Sequence, residues 1–408
     1  MRFIVQKFGG TSVATPEKRQ QVAQKIIGAQ AEGFAPVVVV SAIGRTGDPY
    51  ATDTLINLAR EVHSDVPGRE LDLLVACGEI ISGVILVNTL IARGHPAVLL
   101  TGGQAGIITD GNFANARIEK IQPGKILEQA KAGNIVVVAG FQGVTRDGEV
   151  TTLGRGGSDT TAAALGVALD AEYIDIFTDV EGIMTADPRL VEDAQTIDVV
   201  TYNETCQLAH EGAKVIHPRA VEIAMQKNIP LRVKCTFSNE PGTLVTNQGE
   251  LAEVTGIQSD RLITGIAHIS GLSQIKIFTK NYPDIKDVQM KIFKALALAD
   301  ISVDFINIYP HLVIFTVRDE VGPKTVEILA NMGFEAEIQK ECAKIAAVGA
   351  GMTGIPGVMA GIIEALTKEG ITILQSADSY TTIWCLVQND DMAKAVRALH
   401  RQFGLNKA

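Results

Sequence analysis

The residues best suited to chemistry lie between Thr151 and Pro188, where Leu153-Gly154-Arg155-Gly156-Gly157-Ser158-Asp159 precedes a run of small residues and Phe177-Thr178-Asp179 ends an apolar segment. Three glycines in a loop let backbone N–H groups approach an anion closely, and the helix predicted over Thr160 to Leu169 turns its positive end the same way. The loop would cradle a phosphate or a carboxylate; an ordinary strand-to-helix turn capped by Asp159 uses the same residues. A second glycine turn, Lys7-Phe8-Gly9-Gly10-Thr11-Ser12, joins an apolar strand, Phe3 to Lys7, to a helix from about Pro16 to Gln30. That is a phosphate-binding order, but no Gly-Lys-Ser/Thr follows the glycines, so Lys7 sits before the turn at the strand's carboxyl end. Glu79 stands beside Gly78 in an apolar stretch. An acid there must find a cation or lose its charge, and either a ligand amine or a lysine would serve.

These groups need a sheet to position them. Pro36 to Ser41 is a Val run of the kind buried on both faces of a parallel sheet. Thr52-Asp53 caps a helix running to Val62, and Arg69 to Gly94 carries two helical patterns separated by Cys77-Gly78-Glu79. Strands at Ala97 to Leu100 and Ile135 to Ala139 extend the sheet, and Val144 to Thr152 reads as a polar hairpin. Tyr173 to Thr178 is another buried strand, followed by the turn Thr185-Ala186-Asp187-Pro188-Arg189. A helix from Tyr202 to Leu208 leads to Gly212-Ala213-Lys214-Val215-Ile216-His217-Pro218, and Leu231 to Cys235 and Thr243 to Val245 complete this part. The polar stretch Thr246 to Glu253 is the expected boundary, giving a first domain over 1–246.

The remainder contains a repeat. Strand, helix, strand, strand, helix, strand runs from Ile275 to Ile338 as one split βαβ unit, and the same order restarts at Ala343 but stops one strand short. The strand Leu262 to Ile269 is expected to close this second unit, so that the first repeat (region 262–339) is inserted into the second (340–408). The two small sheets could then pair side by side, within or between subunits.

Composition narrows the function. At 408 residues, 46% apolar, two or three domains are expected. No apolar run reaches the ~18 residues of a membrane span, and no signal peptide precedes the first strand, which points to a cytoplasmic protein. The five cysteines are scattered, without C-x-x-C spacing, and read as reduced core residues; the seven histidines form no ligand pair. A net charge of −10 argues against nucleic acid, so an anionic ligand must be met by a local group of Lys and Arg.

Taken together, Lys7 to Ser12, Gly154 to Thr161, Phe177 to Arg189 and Gly212 to Pro218 resemble aspartokinase, of the amino-acid kinase family, and the C-terminal repeats resemble its paired ACT domains. The resemblance implies a three-layer α/β/α domain with a mainly parallel sheet followed by two ferredoxin-like units. It also implies transfer of the ATP γ-phosphoryl to the side-chain carboxylate of L-aspartate, with Mg2+ bridging the phosphates and few protein ligands to it. A carboxylate of pKa about 4 needs no general base at neutral pH, so alignment and charge neutralisation suffice. By resemblance, Lys7, Asp159 and Glu79 are catalytic. Ser41, Thr52, Asp53, Glu79, Arg155, Gly156, Gly157 and Ser158 bind aspartate, with Arg155 on its α-carboxylate and Glu79 on its amino group. Lys7, Phe8, Gly9, Gly10, Ser12, Thr178, Asp179, Met184, Asp187, Arg189 and Lys214 face ATP, although Met184 departs from a tyrosine often found there. Asp284, Asp304, Asn307, Gly351, Met352, Gln375 and Ser376 are the candidate effector contacts. The chain looks most like the Bacillus-type isozyme that answers to meso-diaminopimelate, with lysine and threonine as other effectors. The lack of a methionine between Gln226 and Gln289 favours a single-chain homo-oligomer. A kinase of glutamate or acetylglutamate, and a non-catalytic amino-acid sensor, are the rival readings.

Overall fold

The computed structural model describes residues 1–247, 262–280, 285–350, 352 and 355–406. These fall into two compact units. The second takes in Met184–Gln195 together with the C-terminal part from Leu262 onward, and the first holds the rest.

In the first unit the chain runs β1 (Arg2–Phe8), α1 (Pro16–Ala31), β2 (Phe34–Val40), α2 (Thr52–Val62), α3 (Gly68–Ile91), β3 (Ala97–Leu100), β4 (Ile107–Thr109) and β5 (Ile118–Ile121). It continues through α4 (Gly124–Lys131), β6 (Ile135–Ala139), β7 (Gln142–Val144), β8 (Val150–Thr152), α5 (Gly157–Ala168) and β9 (Tyr173–Thr178). After the 184–195 excursion come β10 (Val199–Thr201), α6 (Tyr202–His210), α7 (Pro218–Met225), β11 (Leu231–Cys235) and β12 (Thr243–Thr246). The main sheet has the order β10-β12-β11-β9-β1-β2-β6-β3 and is parallel except between β11 and β12. Val37 to Val40 are fully buried because helices cover both faces. Phe8, Val38, Val40, Val137 and Phe177 pack against α1 and α3 on one face, while α5 lies against β1, β2 and β9. Lys7, between Gln6 and Phe8, points to the α5 side by strand alternation.

Two local expectations are revised. The two helical patterns read over 69–94 are one helix, Gly68–Ile91, because Gly78 permits close approach: a Cβ there would lie 2.8 Å from Ala42 Cβ and 3.0 Å from the Tyr50 carbonyl. The α3 helix is long and apolar, yet it carries buried Asp72 and Glu79 and packs on β2, β3, β6 and β8. The segment read as one hairpin pairs β7 with β8 but also joins β4 and β5 in a separate sheet of order β5-β4-β7-β8.

The second unit continues with β13 (Gly265–Phe278), α8 (Ile285–Leu298), β14 (Asp304–Tyr309), β15 (Leu312–Arg318), α9 (Gly322–Asn331), β16 (Ala336–Val348), α10 (Val358–Lys368), β17 (Gln375–Asp378), β18 (Thr382–Gln388) and α11 (Met392–Gln402). One antiparallel sheet, β14-β15-β13-β16-β18-β17, serves both repeats. Its two central strands are shared. Gly265–Ile269 pairs with Lys344–Val348 for the second ferredoxin-like unit, and Leu272–Phe278 pairs with β15 and the start of β16 for the first. The strands expected at 262–269 and 275–279 are thus two halves of one, with a register shift near Gly271, whose φ is 72°. Each repeat has its own helix pair and core.

Candidate active site

A cavity of about 430 Å3 opens at the carboxyl ends of β1 and β2 in the first unit, lined by Lys7, Ser41, Glu79, Arg155, Ser158 and Asp159, with Thr52, Asp53, Gly156 and Gly157 at its wall. It is built from glycine. In the first turn Gly10 permits contact with the next loop, since a Cβ there would lie 2.4 Å from the Ala42 carbonyl and 2.6 Å from that of Gly44. In the second turn Gly156, at φ 68°, caps α5, and a Cβ would strike the His217 ring at 2.1 Å. Asp159 is therefore not the cap but a first-turn residue, turned toward β1. Its Oδ1 lies 2.7 Å from Lys7 Nζ as an ion pair rather than an aligned hydrogen bond, and its Oδ2 accepts from the His217 N–H at 3.3 Å. Arg155 is exposed at the cavity. Among the described residues it has no ion-pair or hydrogen-bond partner, so its planar fork is open to a carboxylate.

Glu79 is 2% exposed. Its Oε1 accepts from the Ala42 N–H at 3.1 Å, while Oε2 has no partner. Burial pushes this carboxyl up to about 8. Among the described residues no lysine answers it, which leaves a ligand cation as a group that would restore its charge. Two turns earlier on the same helix face, Asp72 is also buried, but it is fully employed. Both its oxygens accept from the Ala114 N–H at 3.0 Å, and it accepts from the Thr152 N–H and Oγ1–H at 2.7 Å each. Asp72 thus ties α3 to the strand that delivers the Gly154–Asp159 loop.

With this geometry in view, the comparisons with known proteins agree. Residues 2–235 match the amino acid kinase family and residues 337–401 match the ACT domain. The chain is 52% identical to Aspartokinase 1 of Bacillus subtilis over all of both chains, and 41% identical to the aspartokinase of Mycolicibacterium smegmatis over 99% of this chain and 97% of that one. The chain belongs to the aspartokinase family. Among solved structures, E. coli aspartokinase III in complex with aspartate and ADP superimposes with a TM-score of 0.79 at 25% identity, covering 98% of this chain and 99% of that one. Clostridium acetobutylicum aspartate kinase gives 0.78 at 25% identity, covering 99% and 100%. The aspartokinase therefore has aspartate kinase activity: it moves the γ-phosphoryl of ATP to the side-chain carboxylate of L-aspartate.

The expected aspartokinase residues do not all converge. Every one expected around aspartate lines the cavity. Of those expected around ATP, Phe8 is buried and stacked on Phe177 at 4.7 Å, and Ser12 Oγ is engaged with Thr236 Oγ1 at 2.7 Å; what they offer a phosphate is backbone. Thr178 Oγ1 donates to Asp179 at 3.3 Å, Asp179 pairs with Arg45 at 2.6 Å, and Lys214 is exposed. Met184, Asp187 and Arg189 belong to the second unit, where Arg189 closes a fork on Asp187. Ala186 and Val191 sit in the core of the second repeat, and Thr185 Oγ1 and His400 Nε2 are 2.9 Å apart. Among effector candidates, Asp304 pairs with Lys344 at 2.7 Å and Asn307 Oδ1 accepts from Gln375 Nε2 at 2.6 Å. Ser376 is exposed. The Met352 side chain is in the second repeat's core and its N–H donates to the Tyr380 carbonyl. Asp284 and Gly351 lie outside the described residues. Asp72 and Arg45 carry no local sequence signal because each acts through partners distant in sequence.

Proposed function

We propose that Lys7 neutralises the transferring phosphoryl, that Asp159 holds Lys7 in place, and that Arg155 and Glu79 clamp the α-carboxylate and α-ammonium of aspartate. The observation that carries this reading is the buried, unpaired Glu79 Oε2 in the same cavity as the free Arg155 and the Lys7–Asp159 pair. An α-amino acid brings one charge of each sign, and the cavity offers the complement of both. Bound this way, the substrate's side-chain carboxylate is directed to Lys7, which reduces the repulsion between two anions that must meet. Ser158 and the glycine backbones of both turns supply donors to oxygen, and Gly9, Gly10, Thr178, Asp179 and Lys214 form the nucleotide side.

Among the described residues no three His, Cys, Asp or Glu side chains converge as a metal cage. This donor set fits Mg2+ carried on the nucleotide, which phosphate oxygens and water would mostly ligate and which Asp179 or Asp159 would help to hold. When bound it supplies further charge neutralisation.

Regulation is part of the proposal. E. coli aspartokinase III has also been solved with lysine and aspartate, with a TM-score of 0.76 at 25% identity. An amino acid at the ACT repeats, meso-diaminopimelate foremost and lysine or threonine otherwise, would meet the Asp304, Asn307 and Gln375 cluster in a homo-oligomer of this cytoplasmic enzyme. A coupled assay with aspartate and ATP, the acyl phosphate trapped by hydroxylamine, tests the whole reading. Turnover with aspartate but not glutamate, lowered by one of the three amino acids, is expected; turnover with glutamate alone would reverse the substrate assignment.

A further inference from the structure

The main sheet has a second cavity, on the face opposite Lys7. It has a volume of about 470 Å3 and lies between α1 and the strands β1, β9 and β11. Gln6, Asp175 and Arg232 occupy one register row across the three strands, and Phe177 and Lys234 stand two residues further along on the same face.

Of the charges on this cavity wall, Arg232 and Asp175 are matched to each other, Lys25 is held by neutral oxygens, and Glu32 and Glu240 are exposed. Arg232 makes a fork on Asp175, at 2.6 and 2.9 Å, and lies 4.0 Å from the Tyr173 ring centre. Lys25 donates to the Ser238 carbonyl and, at 2.9 Å, to Asn239 Oδ1. Two groups remain. Gln6 is 2% exposed, and its Oε1 is buried without a hydrogen-bond partner. An amide oxygen left in that condition is destabilising unless a donor reaches it. Lys234 is half-buried, with no ion-pair partner within 4 Å among the described residues. Burial holds its ammonium below the usual lysine range.

Among the described residues, Lys234 is a half-buried cation without an ion-pair partner and Gln6 Oε1 is a buried acceptor without a hydrogen bond. We infer that this cavity is a second binding site, for a small organic carboxylate that carries a hydroxyl or ammonium donor: the carboxylate meets Lys234 and the donor meets Gln6 Oε1. A phosphate dianion is the wrong match. It would need two free cations, and it would sit beside Asp175 with Glu32 and Glu240 also on the cavity wall. Since Gln6 and Lys7 are neighbours on opposite faces of β1, the site is one peptide unit from the phosphoryl-binding lysine without sharing its cavity.

The test uses the full chain, 15N-labelled, and reads the Gln6 side-chain amide resonance, assigned by its loss in Gln6→Leu. L-lactate supplies both groups, propionate lacks the donor, and lactamide lacks the charge. Lactate should shift the resonance saturably, with propionate and lactamide about fivefold weaker or worse, and Lys234→Met should weaken lactate by about tenfold. Lys234→Gln replaces it if the Met variant does not fold. The site is refuted by no saturable shift at about 50 mM lactate, well above the millimolar affinity such a small ligand can reach. Equal responses to lactate and propionate, or an unchanged lactate response without the Lys234 charge, refute it as well.

Discussion

Lys7 Nζ stands 2.7 Å from Asp159 Oδ1, joining the end of β1 to the first turn of α5 across two glycine turns. Both side chains are largely withdrawn from solvent, so the attraction between them is little screened. Lys7→Ala should lower kcat by about 100-fold or more while leaving the fold intact, in line with the loss of a preorganised electrostatic group. Steady-state kinetics with circular dichroism as the fold control checks it, and near-normal kcat would remove Lys7 from the phosphoryl.

Glu79 must be ionised to hold an ammonium, and its carboxyl is held at about 8 in the free enzyme. Hence kcat/KM for aspartate should rise with pH up to about 8 and then level. In Glu79→Gln that rise should vanish, with KM for aspartate increased by about 10- to 100-fold, the size of a lost charged hydrogen bond. A pH–rate profile of both proteins decides the matter.

The same group affects stability. Its folded pKa is raised above the unfolded value, so the folded state retains a proton that the unfolded chain releases. Its stabilising contribution is full below the ordinary carboxylate range and is lost as pH rises through about 8. Urea unfolding across that window should show the wild-type chain losing stability relative to Glu79→Gln. Parallel curves would mean that burial does not perturb Glu79.

Asp72 accepts four hydrogen bonds without a cationic partner. Asp72→Asn turns one acceptor into a donor facing other donors, and should cost about 1–3 kcal/mol in chemical denaturation. KM for aspartate should rise more than KM for ATP, because β8 leads into the loop bearing Arg155. Equal changes in both would make Asp72 a purely structural anchor.

Gly156→Ala should be damaging in spite of its size. The position combines a left-handed φ of 68° with a His217 ring 2.1 Å from any Cβ. Strain and overpacking together are expected to cost about 2–4 kcal/mol and to displace Asp159 from Lys7. A thermal melt and a crystal structure of the variant would show whether the loop moves.

Much of this site was legible in the chain itself because it is local. Glycines that must adopt tight turns, a lysine at a strand's end and an acid among apolar residues each announce a constraint within a few positions. Apolar patterning likewise announced β1, β2, β6 and β9 and the repeat at the C-terminus. The joining of 262–269 with 275–279 was not legible, since a strand that crosses a glycine bulge without ending carries the same composition as two strands with a turn between them. Nor was the single α3 helix, because Gly78 reads as a break until the loop packed against it is known.

The order of residue types thus placed two glycine turns, a lysine and an arginine in a chain of the aspartokinase family. Which of those groups meet was settled by folding. Asp159 faces Lys7 rather than capping its helix, burial pushes the Glu79 carboxyl up to about 8, and the loop with Asp187 and Arg189 packs with the C-terminal repeats. Each outcome turns on what lies within a few ångströms across the sheet, and side-chain desolvation and pairing depend on that distance rather than on spacing along the chain.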